Sequence, residues 1–139
     1  MQKIFVDTDV IVDFLIDRKP FSEQAAIILT LSEYGHIRVF VSALTFANFY
    51  YILKKFSSHT KVISKLSQLA EMVEIIDVTK KSILDSLKSN FKDFEDSIQN
   101  ESAKKDNQIN ILVTRNIKDY RTSELSIMSP EEYLRSIPK

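Results

Sequence analysis

Residues 1–15 read MQKIFVDTDVIVDFL, an apolar run followed at once by three aspartates. Residues 4–6 have the β-branched and aromatic side chains of a short strand that is buried on both faces. Asp7 ends this run, and Asp9 and Asp13 follow it. Ligands bind open parallel sheets at the carboxyl ends of the strands, so this stretch predicts that Asp7 lies where chemistry takes place.

Four more runs along the chain have the character of strands, and helical patterns separate them. The strand candidates are residues 37–41, 74–78, 109–113 and, more weakly, 125–128. The helix candidates are residues 20–34, 42–56, 60–72, 79–88 and 91–105, and a last helix starts at the capping box of Ser129, Pro130 and Glu132. Alternation of this kind predicts an α/β fold with a central parallel sheet of four to five strands between two helical layers.

Composition limits the classes of protein to which this chain can belong. Its 139 residues, 44% of them hydrophobic, suit one compact domain over residues 1–139. The lack of cysteine favours a reducing cytoplasm and argues against a thiolate metal site. No apolar run reaches the length of a membrane span, and no signal peptide opens the chain, which together predict a soluble protein without membrane contact.

Charge and glycine content exclude further functions. The 19 basic and 19 acidic side chains cancel, so any nucleic-acid binding must come from local patches or a metal. The single glycine, Gly35, disfavours phosphate-cradling loops and therefore nucleotide cofactors.

Two further blocks of the sequence supply polar side chains that could lie close to Asp7. Residues 93–96 read DFED at the start of a helix, and residues 111–120 read ILVTRNIKDY, a strand that runs directly into polar residues. Clustered carboxylates need a compensating cation, and an all-oxygen set suits Mg²⁺ or Mn²⁺. His36 and His59 are the only histidines, which makes a zinc site or a serine-histidine-aspartate triad a poor prediction.

Four blocks together resemble the PIN-domain family, in particular small bacterial proteins related to VapC-type toxins. The blocks are FVDTDVIVDFL, VSALTFANFYYIL, DFEDSIQNESA and LVTRNIKDY, in the family's order and approximate spacing over nearly the whole chain. The resemblance implies an α/β/α sandwich, Mg²⁺- or Mn²⁺-dependent ribonuclease chemistry on RNA, homodimerisation, and a protein antitoxin that covers the site.

The resemblance also implies a ligand set. Asp7 matches the family's first metal-binding acid, and Asp96 matches the acid near the start of the late helix. The fourth acidic position corresponds to Asn116 or Asp119; we favour Asp119 as the charged contributor, with Asn116 as a neutral neighbour. Asp7, Asp96 and Asp119 are therefore the expected metal ligands and catalytic residues.

The family's second acid, a glutamate, falls at Asn48, which is an amide, as in one subgroup with the A-N-x-Y-Y pattern. An amide oxygen can coordinate a hard cation or hold a water, but it brings no charge, so metal affinity should fall. The other interpretation is a buried amide bonded to a neighbouring helix. Asp9 stands where the family usually has asparagine, and our hypothesis is that it restores the charge missing at position 48.

Other polar residues have more modest interpretations. Asp13 is expected on a solvated helix face or in a local pair. Thr114 and Arg115 are candidates for phosphate contact at the rim of the cleft, or Thr114 caps the chain. Lys54 and Lys55, like Lys104 and Lys105, are either candidates for a basic rim that binds RNA or ordinary solvated positions.

The sequence thus predicts a metal-dependent endoribonuclease, and the family resemblance implies that it is the toxin of a toxin-antitoxin pair. The alternative is a PIN-like module that has lost efficient catalysis together with the glutamate and that retains RNA or protein contacts. The apolar third helix, expected to be buried on more than one side, motivates the homodimer hypothesis.

Overall fold

The fold is that of a computed structural model, which describes residues 1–138. Within them lie five strands, seven α-helices and one 3₁₀ turn. The elements are β1 (Gln2–Val6), α1 (Thr8–Leu15), α2 (Phe21–Glu33), β2 (Ile37–Ser42), α3 (Ala43–Lys54), α4 (His59–Met72), β3 (Glu74–Ile76), α5 (Lys80–Leu87), α6 (Phe94–Lys104), β4 (Ile109–Val113), the 3₁₀ turn (Ile117–Tyr120), β5 (Ser126–Met128) and α7 (Pro130–Ser136).

The five strands form one sheet in the order β3-β2-β1-β4-β5, and every neighbouring pair is parallel. β1 occupies the centre, so its carboxyl end lies between those of β2 and β4. Between β1 and β4 the register shifts by one residue: Lys3 pairs with Ile109, but Ile4 pairs with Ile111. Asn110 is therefore the extra residue of a β-bulge.

Helices cover both faces of the sheet. Along β1, Ile4 and Val6 belong to one apolar cluster and Phe5 to the other, as the alternation of strand side chains requires. The first cluster packs against side chains of α1 to α4 and α7, whereas the second contains Ala103 of α6. The predicted three-layer sandwich with a central parallel sheet is therefore confirmed, with five strands.

Capping side chains set the helix ends. Asp93 accepts a hydrogen bond from the backbone N–H of Asp96, so α6 begins at Phe94, three residues later than predicted. Gly35 has φ 78° directly after α2, the left-handed conformation that glycine adopts without strain. The capping box at Ser129 and Glu132 starts α7 as expected.

α3 is less buried than its sequence predicts. Thr45, Phe49 and Leu53 are its buried residues, whereas Leu44 and Tyr51 are 37% and 69% exposed. The expectation of burial on more than one side was wrong, because only one stripe of the helix packs into the core. No helix within the described residues combines the length and the apolar character needed to cross a bilayer.

Candidate metal centre

Asp7 is the buried centre of the candidate site. It follows β1 as the N-cap of α1, its backbone N–H donates to Val113 at 2.9 Å, and its side chain is 3% exposed. The side chain does not cap the helix. Instead Oδ1 accepts from Gln99 Nε2 and Oδ2 accepts from Thr114 Oγ1, both at 2.7 Å. The carboxylate is thus fixed between α6 and the end of β4.

Gln99 joins Asp7 to Asp96. Its Nε2 also donates to the hydroxyl of Tyr120 at 3.2 Å, and that hydroxyl donates to Asp96 Oδ1 at 3.2 Å. Its Oε1 accepts from the backbone N–H and the hydroxyl of Thr8, at 3.1 and 3.2 Å. Gln99 and Tyr120 are both almost completely buried. They therefore form a rigid polar bridge between the two acids.

Asp9 lies at the edge of the same cluster. Its Oδ2 accepts from Asn116 Nδ2 at 2.9 Å. Its Oδ1 is buried and has no hydrogen-bond partner among the described residues. A buried carboxylate oxygen without a donor is costly, so this atom marks a place where positive charge or a donor is missing.

The acids repel one another in a poorly solvated setting. Burial raises the pKa of Asp7. Burial, followed by the negative charge of Asp7, raises the pKa of Asp9 to about 7 and that of Asp96 to about 7. Burial and the charges of Asp7 and Asp96 also raise the pKa of Tyr120, which therefore remains a neutral hydrogen-bond donor.

Asp119 lies on the exposed side of the cluster. It belongs to the 3₁₀ turn that also carries Tyr120, and its charge contributes to the raised pKa of Asp96, after burial and the charges of Asp7 and Asp93. Its side chain is exposed and accepts no hydrogen bond from a described residue. Asp7 and Asp96 are thus joined through Gln99 and Tyr120, and Asp119 lies near enough for its charge to act on Asp96. The role of these three acids as metal ligands stays a prediction.

The expectation of a solvated face for Asp13 was wrong, whereas that of a local pair is met by Arg18. Asp13 is 1% exposed, and Arg115 donates to both of its oxygens, from Nε at 2.6 Å and from the terminal nitrogen at 3.1 Å. Arg18 lies 3.7 Å from the same carboxylate. The Arg115 guanidinium also stacks over the ring of Phe21, 4.1 Å from its centroid. A pairing partner 102 positions away in the chain buries this aspartate.

Thr114 caps the end of β4, the second of its two predicted roles, and a phosphate contact by Arg115 stays a prediction. Thr114 is completely buried; its hydroxyl donates to Asp7 and accepts from the backbone N–H of Asn116 at 3.0 Å. It therefore positions the carboxylate and does not face a phosphate. Arg115 is engaged by Asp13, so it neutralises a buried acid and braces β4 against α1.

Asn48 lies half-buried in α3, and none of the described residues hydrogen-bonds its side chain. The interpretation of a buried amide bonded to a neighbouring helix is therefore wrong for this structure. The amide remains free to accept or donate elsewhere.

The donor atoms of the cluster are of the kind that a hard divalent cation prefers. Among residues 1–138, however, no group of three or more histidine, cysteine or acidic side chains is placed so that it could hold a metal ion. Each carboxylate oxygen of Asp7 and Asp96 that accepts one hydrogen bond nevertheless keeps a second lone pair. All candidate donors are oxygens, and Asp9 Oδ1 lacks a partner among the described residues. Burial and the charge of Asp7 raise the pKa values of Asp9 and Asp96, and a bound cation would lower them again.

Two residues of the site were not predicted from the sequence. Gln99 lies three residues after Asp96, on the same face of α6, and this spacing is the signal that could have identified it. Tyr120 directly follows Asp119, and no pattern in the sequence singles it out. Its buried hydroxyl is what connects it to the acids.

Solved structures share this architecture. A chain of the DNA-bound VapBC from Salmonella typhimurium superposes with a TM-score of 0.68 at 16% identity, covering 94% of this chain and 99% of that chain. A chain of VapBC2 from Rickettsia felis, bound to a DNA fragment from its promoter, gives 0.67 at 22% identity, covering 91% and 97%. At these identities the likeness shows the fold.

Comparison of the amino-acid sequence with known proteins identifies the family. Ribonuclease VapC1 from Aquifex aeolicus (strain VF5) is 29% identical over 140 aligned positions, which cover 95% of this chain and 93% of that protein. Residues 3–118 match the family described as PIN domain, a span that includes Asp7, Asn48, Asp96 and Asn116. The resemblance seen in the sequence is confirmed, and the chain belongs to the PIN-domain family.

Proposed function

We propose that this protein is a divalent-metal-dependent ribonuclease of the toxin type. The observation that carries the proposal is the buried Asp7 with Asp9 and Asp96 beside it, a cluster whose repulsion needs a cation and whose Asp9 Oδ1 lacks a partner. Membership of the PIN-domain family and the similarity to Ribonuclease VapC1 support it.

Asp7, Asp96 and Asp119 would hold the metal, with Asp9 adding charge. Mg²⁺ or Mn²⁺ suits this set of oxygen donors best. Once bound, such an ion supplies a Lewis acid that lowers the pKa of a water and neutralises charge on a phosphodiester undergoing hydrolysis.

The chain's own residues prepare this centre. Gln99 and Thr114 each donate to Asp7, so its two oxygens are held in a fixed orientation. Tyr120 orients Asp96 through its hydroxyl, and Asn116 holds one oxygen of Asp9. Burial of Asp7 and Tyr120 keeps bulk water from these bonds, which strengthens each of them.

Incubation of the purified protein with a pool of structured and single-stranded RNAs tests the activity. We expect cleavage with Mg²⁺ or Mn²⁺, none with EDTA, and a loss of at least about 100-fold in Asp7→Asn, because the change removes the central charge. Asp77→Asn is the matched control, since Asp77 is exposed and outside the cluster. Cleavage that persists in EDTA and in Asp7→Asn would identify a contaminating nuclease.

A catalytically inactive binding module is the second candidate, and the uncharged Asn48 favours it. The absence of cleavage of diverse RNAs with either metal, in a sample that still binds RNA, would support this candidate over the nuclease. Asn48→Glu then gives a direct comparison: cleavage that appears with this change would show that the missing carboxylate limits the activity.

We further propose a protein antitoxin partner and a homodimer. A toxin-antitoxin complex from Klebsiella pneumoniae shares the fold and supports the antitoxin partner. For the homodimer, α3 exposes Leu44 and Tyr51 as an apolar surface for a second copy. Light scattering of the purified chain should give twice the monomer mass at micromolar concentration. Leu44→Glu and Tyr51→Glu should reduce this mass to that of the monomer. A monomer mass for the unchanged protein would contradict the dimer.

A further inference from the structure

A groove opens beside the aspartate cluster. It lies between residues 90–93 and residues 118–122 and encloses about 430 Å³. Asp93 and Asp119 line the end next to Asp96, since Asp93 Oδ1 accepts from the backbone N–H of Asp96 at 3.0 Å. A ligand lying in the groove would therefore extend directly into the candidate metal centre.

Three cationic side chains line this groove: Lys92, Lys118 and Arg121. All three are exposed, and none forms a salt bridge with another described residue. Of the two acids in the groove, Asp93 is engaged as a helix cap. Free cations gathered in a concave surface attract an anionic ligand, because the cavity concentrates their field.

The groove continues away from the metal centre. A second cavity of about 170 Å³ shares Asn90, Phe91 and Thr122 with the first. Asn100 also lines it; this residue is 3% exposed, its Oδ1 accepts from Ser123 Oγ at 2.6 Å, and its amide nitrogen has no partner among the described residues. The half-buried ring of Phe91 packs edge-on against Tyr120, with centroids 5.6 Å apart.

Glu101, Lys104 and Glu124 also line this second cavity, and Lys104 lies 3.6 and 3.7 Å from the two carboxylates. The free cations are thus confined to the part of the groove next to the metal centre, and amides and an aromatic ring follow them.

We propose that this groove, residues 90–93 and 118–122, binds the sugar-phosphate backbone of an RNA strand on one side of the bond to be cleaved. Lys92, Lys118 and Arg121 contact successive phosphates, and the amides of Asn90 and Asn100 face the nucleotide beyond them. The inference rests on the proposed function for its choice of RNA. A phosphodiester chain fits better than an acidic peptide because the groove leads into oxygen donors suited to a metal that acts on phosphodiesters.

A triple charge-removal variant tests the groove: Lys92→Gln, Lys118→Gln and Arg121→Gln. The matched control is Lys61→Gln, Lys80→Gln and Lys88→Gln, three exposed lysines on α4 and at the two ends of α5 that do not line the groove and form no salt bridge in the described residues. Both variants lose the same charge. The probe is a fluorescein-labelled single-stranded RNA of mixed sequence, titrated in EDTA and followed by fluorescence anisotropy.

We expect the groove variant to bind this RNA at least about tenfold more weakly at 100 mM salt. The slope of log K against log salt concentration should fall by about 2, since each neutralised phosphate of a single strand contributes about 0.7. The control variant should stay within about twofold of the unchanged protein. An equal loss in both variants, or no loss in the groove variant, would overturn the proposal.

Two more measurements separate this inference from the proposed function and from a peptide ligand. Binding in EDTA needs no cleavage, so a groove effect without any nuclease activity would overturn the nuclease and keep the groove. If the groove variant cleaves RNA with the same KM as the unchanged protein, the nuclease proposal stands and the groove proposal is overturned. A polyglutamate peptide of equal charge should displace RNA poorly; displacement as strong as that by unlabelled RNA would assign the groove to acidic protein segments and overturn the proposal.

Discussion

At the scale of single residues, Gln99 determines how the site is held. Its amide nitrogen donates to Asp7 and Tyr120, and its amide oxygen accepts from Thr8. A carboxylate at this position could not donate to Asp7, and an apolar residue could make none of these bonds. The amide is thus the one common side chain of this length that serves both acids.

Replacement of Gln99 by alanine should destabilise the protein by about 1–3 kcal/mol, because buried Asp7 loses a donor. The same change should weaken Mn²⁺ binding, since loss of this donor raises the pKa of Asp7 further. Urea denaturation and titration with Mn²⁺ by electron paramagnetic resonance measure the two effects. Gln68→Ala, an exposed position in α4, is the control. Equal stability of the two variants would contradict the role of Gln99.

Asp9→Asn tests whether Asp9 replaces the charge that Asn48 lacks. We expect the Mn²⁺ dissociation constant to rise about tenfold, corresponding to about 1.4 kcal/mol. In EDTA the same variant should be more stable than the unchanged protein, because the partnerless Asp9 Oδ1 no longer carries charge. Asp77→Asn should change neither quantity. An unchanged Mn²⁺ affinity in Asp9→Asn would refute the compensation hypothesis.

At the scale of elements, the pair of Arg115 and Asp13 connects the end of β4 to α1. Arg115→Ala would leave the buried carboxylate with only the more distant Arg18, so we expect a loss of about 2–4 kcal/mol in stability. A double-mutant cycle with Asp13→Asn measures the coupling. The exposed pair of Lys81 and Asp85 is the comparison, where the coupling should stay below about 1 kcal/mol. Similar coupling in both pairs would show that the burial of Asp13 does not matter.

Some elements could be predicted from the sequence, and others could not. Periodicity and strand ends identify β1 and β4, and with them Asp7, because those signals are local. The burial of Asp13 depends on Arg115, which lies 102 positions away. Similarly, Thr114 was predicted either at the rim or as a cap. It caps the chain at Asn116, but its hydrogen bond to Asp7 depends on the approach of β1 to β4 and could not be predicted. Long-range pairing of this kind leaves no periodic pattern in one sequence.

At the scale of the whole molecule, the raised pKa values of Asp9 and Asp96 link stability to pH and to metal. Folding raises both pKa values from 3.8 to about 7, so the folded state holds protons that the unfolded state has lost between these values. Their contribution to stability therefore decreases as pH rises through this window. A bound cation favours the deprotonated carboxylates and opposes this loss.

In EDTA, Asp9 and Asp96 should therefore give the unchanged protein a higher Tm at pH 5.5 than at pH 8. Differential scanning fluorimetry measures Tm against pH for the unchanged protein and for a double variant, Asp9→Asn with Asp96→Asn. The difference between the two pH profiles is the contribution of Asp9 and Asp96. Mn²⁺ should raise the Tm of the unchanged protein most at pH 8 and raise that of the variant little. Parallel pH profiles for the two proteins would contradict the linkage.

The β-bulge at Asn110 has a consequence for how the chain can change in length. It puts Ile109 and Ile111 on opposite faces of the sheet, although strand side chains two apart normally share a face. The pairing of residues 111–113 with β1 therefore does not depend on the pairing of the residues before the bulge. Insertions or deletions in the turn after α6 are expected to be tolerated in related sequences, whereas a single deletion after Asn110 would move Thr114 away from Asp7.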